Sequence, residues 1–305
     1  DCLSAKKYYH FIKLMGRSAS HIALECGLAT HPNMVLIAEE VAENKKTLQE
    51  ITNQIADLIC ERAEKGKNFG VILIPEGLIE FIPEIGFLIQ ELNHLLSDSS
   101  IDNKEIFSRL TEFSRKSFSS LPEGIQDQLL LNRDPHGNVQ VSFIETEKLL
   151  IETVSQELKR RLKDGKYKGK FSALHHFLGY EGRAGFPSNF DCNYCYSLGY
   201  TAALLITHKA TGYMCCITGL TKNPIDWQVL GIPLTSLMNL EWREGKKKPV
   251  IKKALVDLYS KSFSFYKQHR NEWRLGDHYL CPGPIQFFGE KKLTDITSHS
   301  LSIDV

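Results

Sequence analysis

Mainly apolar runs alternate with amphipathic segments along the first 80 residues of the chain. Segments 10–17, 34–38 and 69–77 are the apolar runs, and each predicts a buried strand. Between them, segments 18–28 and 47–65 repeat apolar residues at the three- and four-residue spacing of a helix. Strands and helices in this alternation form a parallel sheet that is covered by helices on both faces. The pattern therefore predicts an α/β fold.

Helical patterns dominate the middle of the chain, and strands return after it. Further helices are predicted at 85–96, 104–118, 144–162 and 191–209, and further strands at 171–180 and 213–218. We therefore predict an α/β domain of residues 1–85 and 163–235, which is interrupted by a helical insertion of residues 86–162. Residues 236–305 are expected to form a C-terminal extension that packs back on the α/β core.

Six candidate binding residues, four of them polar, stand where three of the predicted strands end. In chain order they are Met15, Gly16, Arg17, Glu76, Tyr180 and Arg183. Ligands of parallel sheets bind at the carboxyl ends of the strands, so we expect these groups on one rim. An arginine holds two phosphate oxygens at once, and a carboxylate accepts hydrogen bonds from sugar hydroxyls. The set therefore predicts a site for a phosphorylated polyol.

Three of these residues, Gly16, Arg17 and Glu76, also have an ordinary structural explanation. Gly16-Arg17 fits a tight turn with a surface arginine, and Glu76 fits an acidic residue that the helix dipole favours in a first turn. Their expected convergence, more than any single motif, favours the binding site. Lys7 and Tyr8, just before the first strand, would add a further phosphate ligand.

Charge and hydropathy exclude several classes of partner. The 305 residues include 37 Lys and Arg against 36 Asp and Glu, a net charge of +1. There is thus no electrostatic case for nucleic acid or an anionic membrane surface as the main partner. The longest apolar runs are also far too short to span a bilayer.

The cysteines and the possible metal ligands do not form recognisable motifs. Eight cysteines are scattered, and the pair Cys192 and Cys195 has no second CxxC to complete a zinc site, so we expect reduced thiols in a cytoplasmic protein. His136 lies between a proline and a glycine and fits a turn residue better than a metal ligand. We find no Walker A loop, no G-x-G-x-x-G and no aspartate cluster suited to magnesium.

Five longer blocks resemble the long pyrophosphate-dependent phosphofructokinases, in that family's order. They are residues 7–22, 72–77, 128–141, 178–191 and 282–289. The resemblance implies a phosphofructokinase-like, Rossmann-like sheet and a glycolytic phosphotransferase that uses Mg²⁺, pyrophosphate and fructose 6-phosphate. It also implies a homodimer, in which Lys7 and Tyr8 reach the substrate of the neighbouring subunit. By the same resemblance, the six residues at the strand ends bind fructose 6-phosphate.

The family's pattern is incomplete here. Its Gly-Gly-Asp loop for the phosphoryl donor and its Thr-Ile-Asp-Gly-Asp segment with the catalytic base precede the Met-Gly-Arg block, and neither occurs in this sequence. We therefore expect a fragment that is inactive alone, with no catalytic residue or magnesium ligand of its own. Tyr180, where ATP-dependent relatives usually have a histidine, agrees with pyrophosphate as donor. An ATP-dependent enzyme and a non-catalytic regulatory paralogue or subunit remain the alternatives.

Overall fold

The computed structural model describes residues 2–16, 19–96, 103–134, 137–243, 246–251 and 253–304. The strands in these ranges are β1 (Tyr9–Leu14), β2 (Met34–Val35), β3 (Gly70–Pro75), β4 (Ala173–Leu178), β5 (Tyr213–Thr218), β6 (Gln228–Pro233), β7 (Met238–Arg243) and β8 (Lys246–Ile251). The helices are α1 (Cys2–Ala5), α2 (His21–Thr30), α3 (Ala38–Glu43), α4 (Leu48–Glu64), α5 (Leu78–Phe81), α6 (Pro83–Leu96), α7 (Asn103–Arg109), α8 (Glu112–Ser120), α9 (Glu123–Leu131), α10 (Thr146–Lys163), α11 (Asn189–Thr207), α12 (Lys261–Leu275), α13 (Lys291–Thr294) and α14 (His299–Ile303).

Four strands form the predicted parallel sheet, in the order β2-β3-β1-β4. β1 pairs along its whole length with β3 on one side and with β4 on the other, so that Leu14 is aligned with both Pro75 and Leu178. The carboxyl ends of three strands therefore meet at one edge of the sheet. The predicted α/β fold is confirmed.

Helices cover both faces of this sheet. On one face α10 lies on β1, β4 and α4, and the core there includes the fully buried Phe11, Ile55 and Ile72. On the other face α2 and α12 lie over β2, where Leu73 and Trp273 belong to a second buried cluster. Neighbouring residues Ile72 and Leu73 thus serve opposite faces, as the alternation of side chains along a strand requires.

Two predicted elements differ from those observed. The strand predicted at 34–38 ends at Val35, because Ala38 already begins α3. The helix predicted at 104–118 is two helices, α7 and α8, since the Thr111 side chain accepts a hydrogen bond from the Ser114 amide and starts a new helix. By contrast, α4 begins where predicted, with a capping box between Thr47 and Glu50.

The proposed domain division has not been tested and stays a prediction. α10, which we assigned to the insertion, lies directly on the sheet, and α12 of the C-terminal extension lies on α2 and α4.

Within the described ranges, no helix is long and apolar enough to cross a membrane. All eight cysteines are free thiols.

Candidate functional site

Hydrogen bonds tie the ends of β1, β3 and β4 into a single edge. The Met15 amide donates to the Leu178 carbonyl at 3.0 Å, and the Glu76 amide donates to the Leu14 carbonyl at 3.1 Å. The Gly16 amide donates to Oε2 of the Glu76 side chain at 2.8 Å. Met15, Gly16 and Glu76, which sequence reasoning assigned to one rim, are therefore brought together.

Glu76 is a buried carboxylate at the centre of this edge. Only 3% of its surface is exposed, and it directly follows the last residue of β3. Its bond with the Gly16 amide is charge-assisted, which makes it stronger than a bond between neutral groups. Because this bond holds the Gly16 peptide against Glu76, the backbone after β1 and the Glu76 carboxylate lie side by side at the carboxyl ends of the strands.

Tyr180 and Arg183 follow β4 on a short 3₁₀ turn, Tyr180–Gly182. The Arg183 amide donates to the Tyr180 carbonyl at 3.0 Å, which closes the turn. Tyr180 is 77% exposed, and Arg183 is exposed as well. Both therefore lie just beyond the carboxyl end of β4, on the same edge as Glu76, with side chains that solvent reaches.

The remaining predicted residues lie elsewhere. Lys7 and Tyr8 precede β1, at the opposite edge of the sheet, about 20 Å away for six residues of strand. They do not join Glu76 within this chain, and their contact with a neighbouring subunit's substrate stays a prediction. Arg17 lies outside the described residues, so its place on the rim stays a prediction too.

Directly below the edge, a buried lysine fixes β1 to the start of α10. Nζ of Lys13 donates to the Ile144 carbonyl at 3.0 Å and lies 3.4 Å from Oε2 of Glu147. It also lies 4.5 Å from the centre of the Phe177 ring. Sequence reasoning missed this pair. The available signal was a lysine near the end of a mainly apolar strand.

A second buried carboxylate, Glu39, was also missed. It follows the apolar run that contains β2, a position that parallels that of Glu76 after β3. The same strand-end reasoning that found Glu76 would have found it. Its Oε1 accepts a hydrogen bond from the Ser20 amide at 3.1 Å.

Of the adjacent histidines in β4, one is satisfied within the fold and the other is exposed. Nε2 of His176 lies 2.9 Å from Nδ1 of His10, and the two rings stack. Burial, and then the nearby His176, lower the pKa of His10. His175 and His176 lie within β4, away from the strand ends at which Glu76 lies, and we assign them no ligand.

Magnesium, which the resemblance implies, has no cluster of ligands in the described ranges. Nowhere in them do three or more His, Cys, Asp or Glu side chains come close enough to hold a metal ion. The carboxylates described above are instead engaged with backbone amides or with Lys13.

Comparison with known proteins identifies the family. The phosphofructokinase family profile matches residues 1–206, which contain the sheet and the whole strand-end site. The chain belongs to the phosphofructokinase family. The family and the sheet confirm the phosphofructokinase-like fold that the resemblance implied.

Several relatives are similar over the whole chain. The pyrophosphate–fructose 6-phosphate 1-phosphotransferase subunit beta 1 of Arabidopsis thaliana is 52% identical, over 100% of this chain and 54% of its own length. The enzyme of that name from Entamoeba histolytica is 49% identical, over 100% of this chain and 57% of its own length. Subunit alpha from Solanum tuberosum is 46% identical, over 95% of this chain and 48% of its own length. The chain thus spans about half the length of the relatives it matches.

Proposed function

We propose that this chain forms the sugar-phosphate half of a pyrophosphate-dependent phosphofructokinase. The complete enzyme would transfer a phosphoryl group from pyrophosphate to fructose 6-phosphate and yield fructose 1,6-bisphosphate. The observation that carries the proposal is the joined edge at which Glu76 holds the peptide of Gly16 beside the turn that bears Tyr180 and Arg183. The names of relatives that are about half identical support the same reaction.

Each rim residue has a proposed role in binding fructose 6-phosphate. Arg183, and Arg17 beside Gly16, would hold phosphate oxygens, because a guanidinium offers paired donors to an oxyanion. Glu76 would accept hydrogen bonds from sugar hydroxyls. Met15 and Gly16 would line the sugar with backbone, and Tyr180 would donate its hydroxyl.

The assembly and the rest of the reaction are also proposals. Lys7 and Tyr8 would reach the substrate of a neighbouring subunit in a cytoplasmic homodimer, which agrees with their place at the far edge of the sheet. Pyrophosphate, Mg²⁺ and the group that receives the hydroxyl proton have no assigned residues in this chain. We propose that the complete enzyme supplies them from other residues.

The proposal is tested by titrating the protein with fructose 6-phosphate and comparing Arg183→Lys with an arginine variant far from the rim. Lysine keeps the positive charge but lacks the paired N–H donors of the guanidinium. The affinity for fructose 6-phosphate should therefore fall by about 10- to 150-fold, as expected for the loss of one charge-assisted hydrogen bond. Arg109→Lys is the matched control, since Arg109 is also exposed but pairs with Glu105 on α7. Equal affinity in both variants would remove Arg183 from the site. A protein that shows no affinity for fructose 6-phosphate would contradict the proposed function itself.

A further inference from the structure

Ser20 and Glu39 cap each other across two separate elements. The Ala38 amide, at the start of α3, donates to Oγ of Ser20 at 2.8 Å. In return the Ser20 amide, at the start of α2, donates to Oε1 of Glu39 at 3.1 Å. A capping box normally joins residues three apart on one helix. Here the same two bonds join the start of α3 to the start of α2.

This exchange explains why Ser20 does not cap its own helix. Ser20 occupies the N-cap position of α2, yet its side chain accepts no hydrogen bond from the first turn of that helix within the described chain. Its hydroxyl is committed to Ala38 instead. Ser20 is completely buried, so its hydroxyl makes this bond away from solvent. The serine therefore serves the junction between α2 and α3.

Glu39 also anchors the C-terminal extension. The amide of Val256 donates to the same Oε1 at 3.0 Å, and both of these bonds are buried. The second oxygen, Oε2, is buried and has no hydrogen-bond partner among the described residues. A buried carboxylate with an unpartnered oxygen costs stability. Stabilisation of the fold therefore explains a glutamate at position 39 poorly. Its role in holding the backbone amides of Ser20 and Val256 in place explains it better.

Glu76 and Glu39 each bind one backbone amide of the chain between β1 and α2. Glu76 binds the Gly16 amide, immediately after β1, and Glu39 binds the Ser20 amide, immediately before α2. We propose that Gly16 contacts fructose 6-phosphate. Ser20 is buried, and its hydrogen bonds go to Glu39 and Ala38, neither of which is a proposed binding residue. Gly16 thus has one anchor within the site, and Ser20, four residues further along the chain, has a second anchor behind it.

We infer that Glu39 is a positioning residue for the sugar-phosphate site, acting through Ser20 on the peptide of Gly16. This inference rests on the proposed function for the identity of the ligand, fructose 6-phosphate. The mechanical link between the amides of Ser20 and Gly16 does not depend on that proposal. Without the anchor at Ser20, the backbone of Gly16 would keep its place beside the ligand and against Glu76 less often. Preorganised sites depend on this kind of support behind the contacting residues.

The mechanical link is tested by residue-resolved hydrogen exchange at Gly16, whose own partner, Glu76, is left intact. In Glu39→Ala we expect the Gly16 amide to exchange about tenfold faster, as for loss of roughly one charge-assisted bond. Glu39→Gln keeps an acceptor oxygen and should retain protection. If Glu39→Ala does not fold, Glu39→Asp keeps the charge but withdraws it by about 1.5 Å, one C–C bond, and should give the same direction of change.

Glu84→Ala is the matched control. Glu84 also accepts a backbone hydrogen bond at a helix start, from the Leu48 amide at 2.7 Å, and its second oxygen is also buried without a partner in the described ranges. We expect its loss to expose the Leu48 amide and leave Gly16 protected. Equal exchange at Gly16 in both alanine variants would reduce Glu39 to a general stabiliser. Faster exchange at Ser20 alone, with Gly16 unchanged, would show that the anchor is purely local. Either result overturns the inference.

A titration with fructose 6-phosphate separates the two proposals. If the unsubstituted protein binds, Glu39→Ala should weaken binding about tenfold while Glu39→Gln and Glu84→Ala stay within about threefold. Equal binding by Glu39→Ala would overturn the inference and leave the proposed function standing. If the unsubstituted protein does not bind fructose 6-phosphate, the proposed function fails, and exchange at Gly16 still decides whether Glu39 positions that peptide.

Discussion

The four-stranded sheet and the unit formed by α11, β5 and β6 bury their apolar residues to very different extents. In the sheet, Phe11, Ile72 and Ile74 have no exposed surface. In α11, all of whose nineteen residues are described, only Thr201 is buried. Ile206 of α11 is 76% exposed. Among the residues that the structure describes, the apolar side chains of the sheet are thus covered by other parts of the chain, whereas most of those of α11 are not.

The contrast shows that a helix can form from local capping signals and still leave its apolar side chains exposed. α11 starts with a capping box between Ser188 and Asp191, as regular as the one that starts α4. Its neighbouring apolar residues Leu205 and Ile206 differ, because Leu205 lies against Gly231 of β6 while Ile206 faces solvent. A pair of strands such as β5 and β6 also has little stability alone. We therefore expect the stability of the protein to reside in the sheet region.

The largest expected effect comes from the buried ion pair in the sheet region. Lys13→Met would leave Glu147 as an uncompensated buried charge, since both side chains are only 3% exposed. Breaking such a pair costs about 3–5 kcal/mol of the free energy of unfolding. Urea denaturation measures this cost. The double variant Lys13→Met with Glu147→Leu should recover most of the loss, because both charges are then gone. A single variant as stable as the unsubstituted protein would show that Glu147 finds another partner.

Most of the sheet was predictable from the sequence, because burial on both faces leaves unbroken apolar strands such as 69–77. The order of the strands was not, since β1 pairs with β3 and β4, which are distant in sequence. In the site, Glu76 was predictable from its place after a strand. Glu39 occupies the same kind of place, but its partner Val256 lies more than 200 residues away. No spacing rule connects residues so far apart.

A truncation in each region tests the comparison directly. Ile72→Ala would open a cavity in the core, at a cost of about 2–5 kcal/mol in the free energy of unfolding. Ile206→Ala removes the same atoms from a side chain that solvent already reaches, and should change that free energy by less than about 0.5 kcal/mol. Denaturant midpoints of the two variants provide the measurement. Similar losses would mean that the face of α11 is covered in solution, for instance by a second subunit.

The smallest effect is a dependence on pH that arises on α10, the helix that covers the sheet. Hydrogen bonds from Arg160 and Arg161 lower the pKa of Glu157 from 4.5 to about 2. Because the folded-state pKa lies below the unfolded one, the stabilisation is fully present above about pH 4.5 and is lost as the pH falls toward 2.

Glu157→Gln should abolish this part of the acid sensitivity, which can be followed as the free energy of unfolding between pH 6 and about 2. Glu112→Gln is the control, since Glu112 pairs with Lys116 on an exposed helix face where such pairs contribute little. Parallel pH profiles for the Glu157→Gln variant and the unsubstituted protein would contradict the assignment. They would place the acid-sensitive groups outside α10, and the two arginines would then hold Glu157 no more tightly than solvent does.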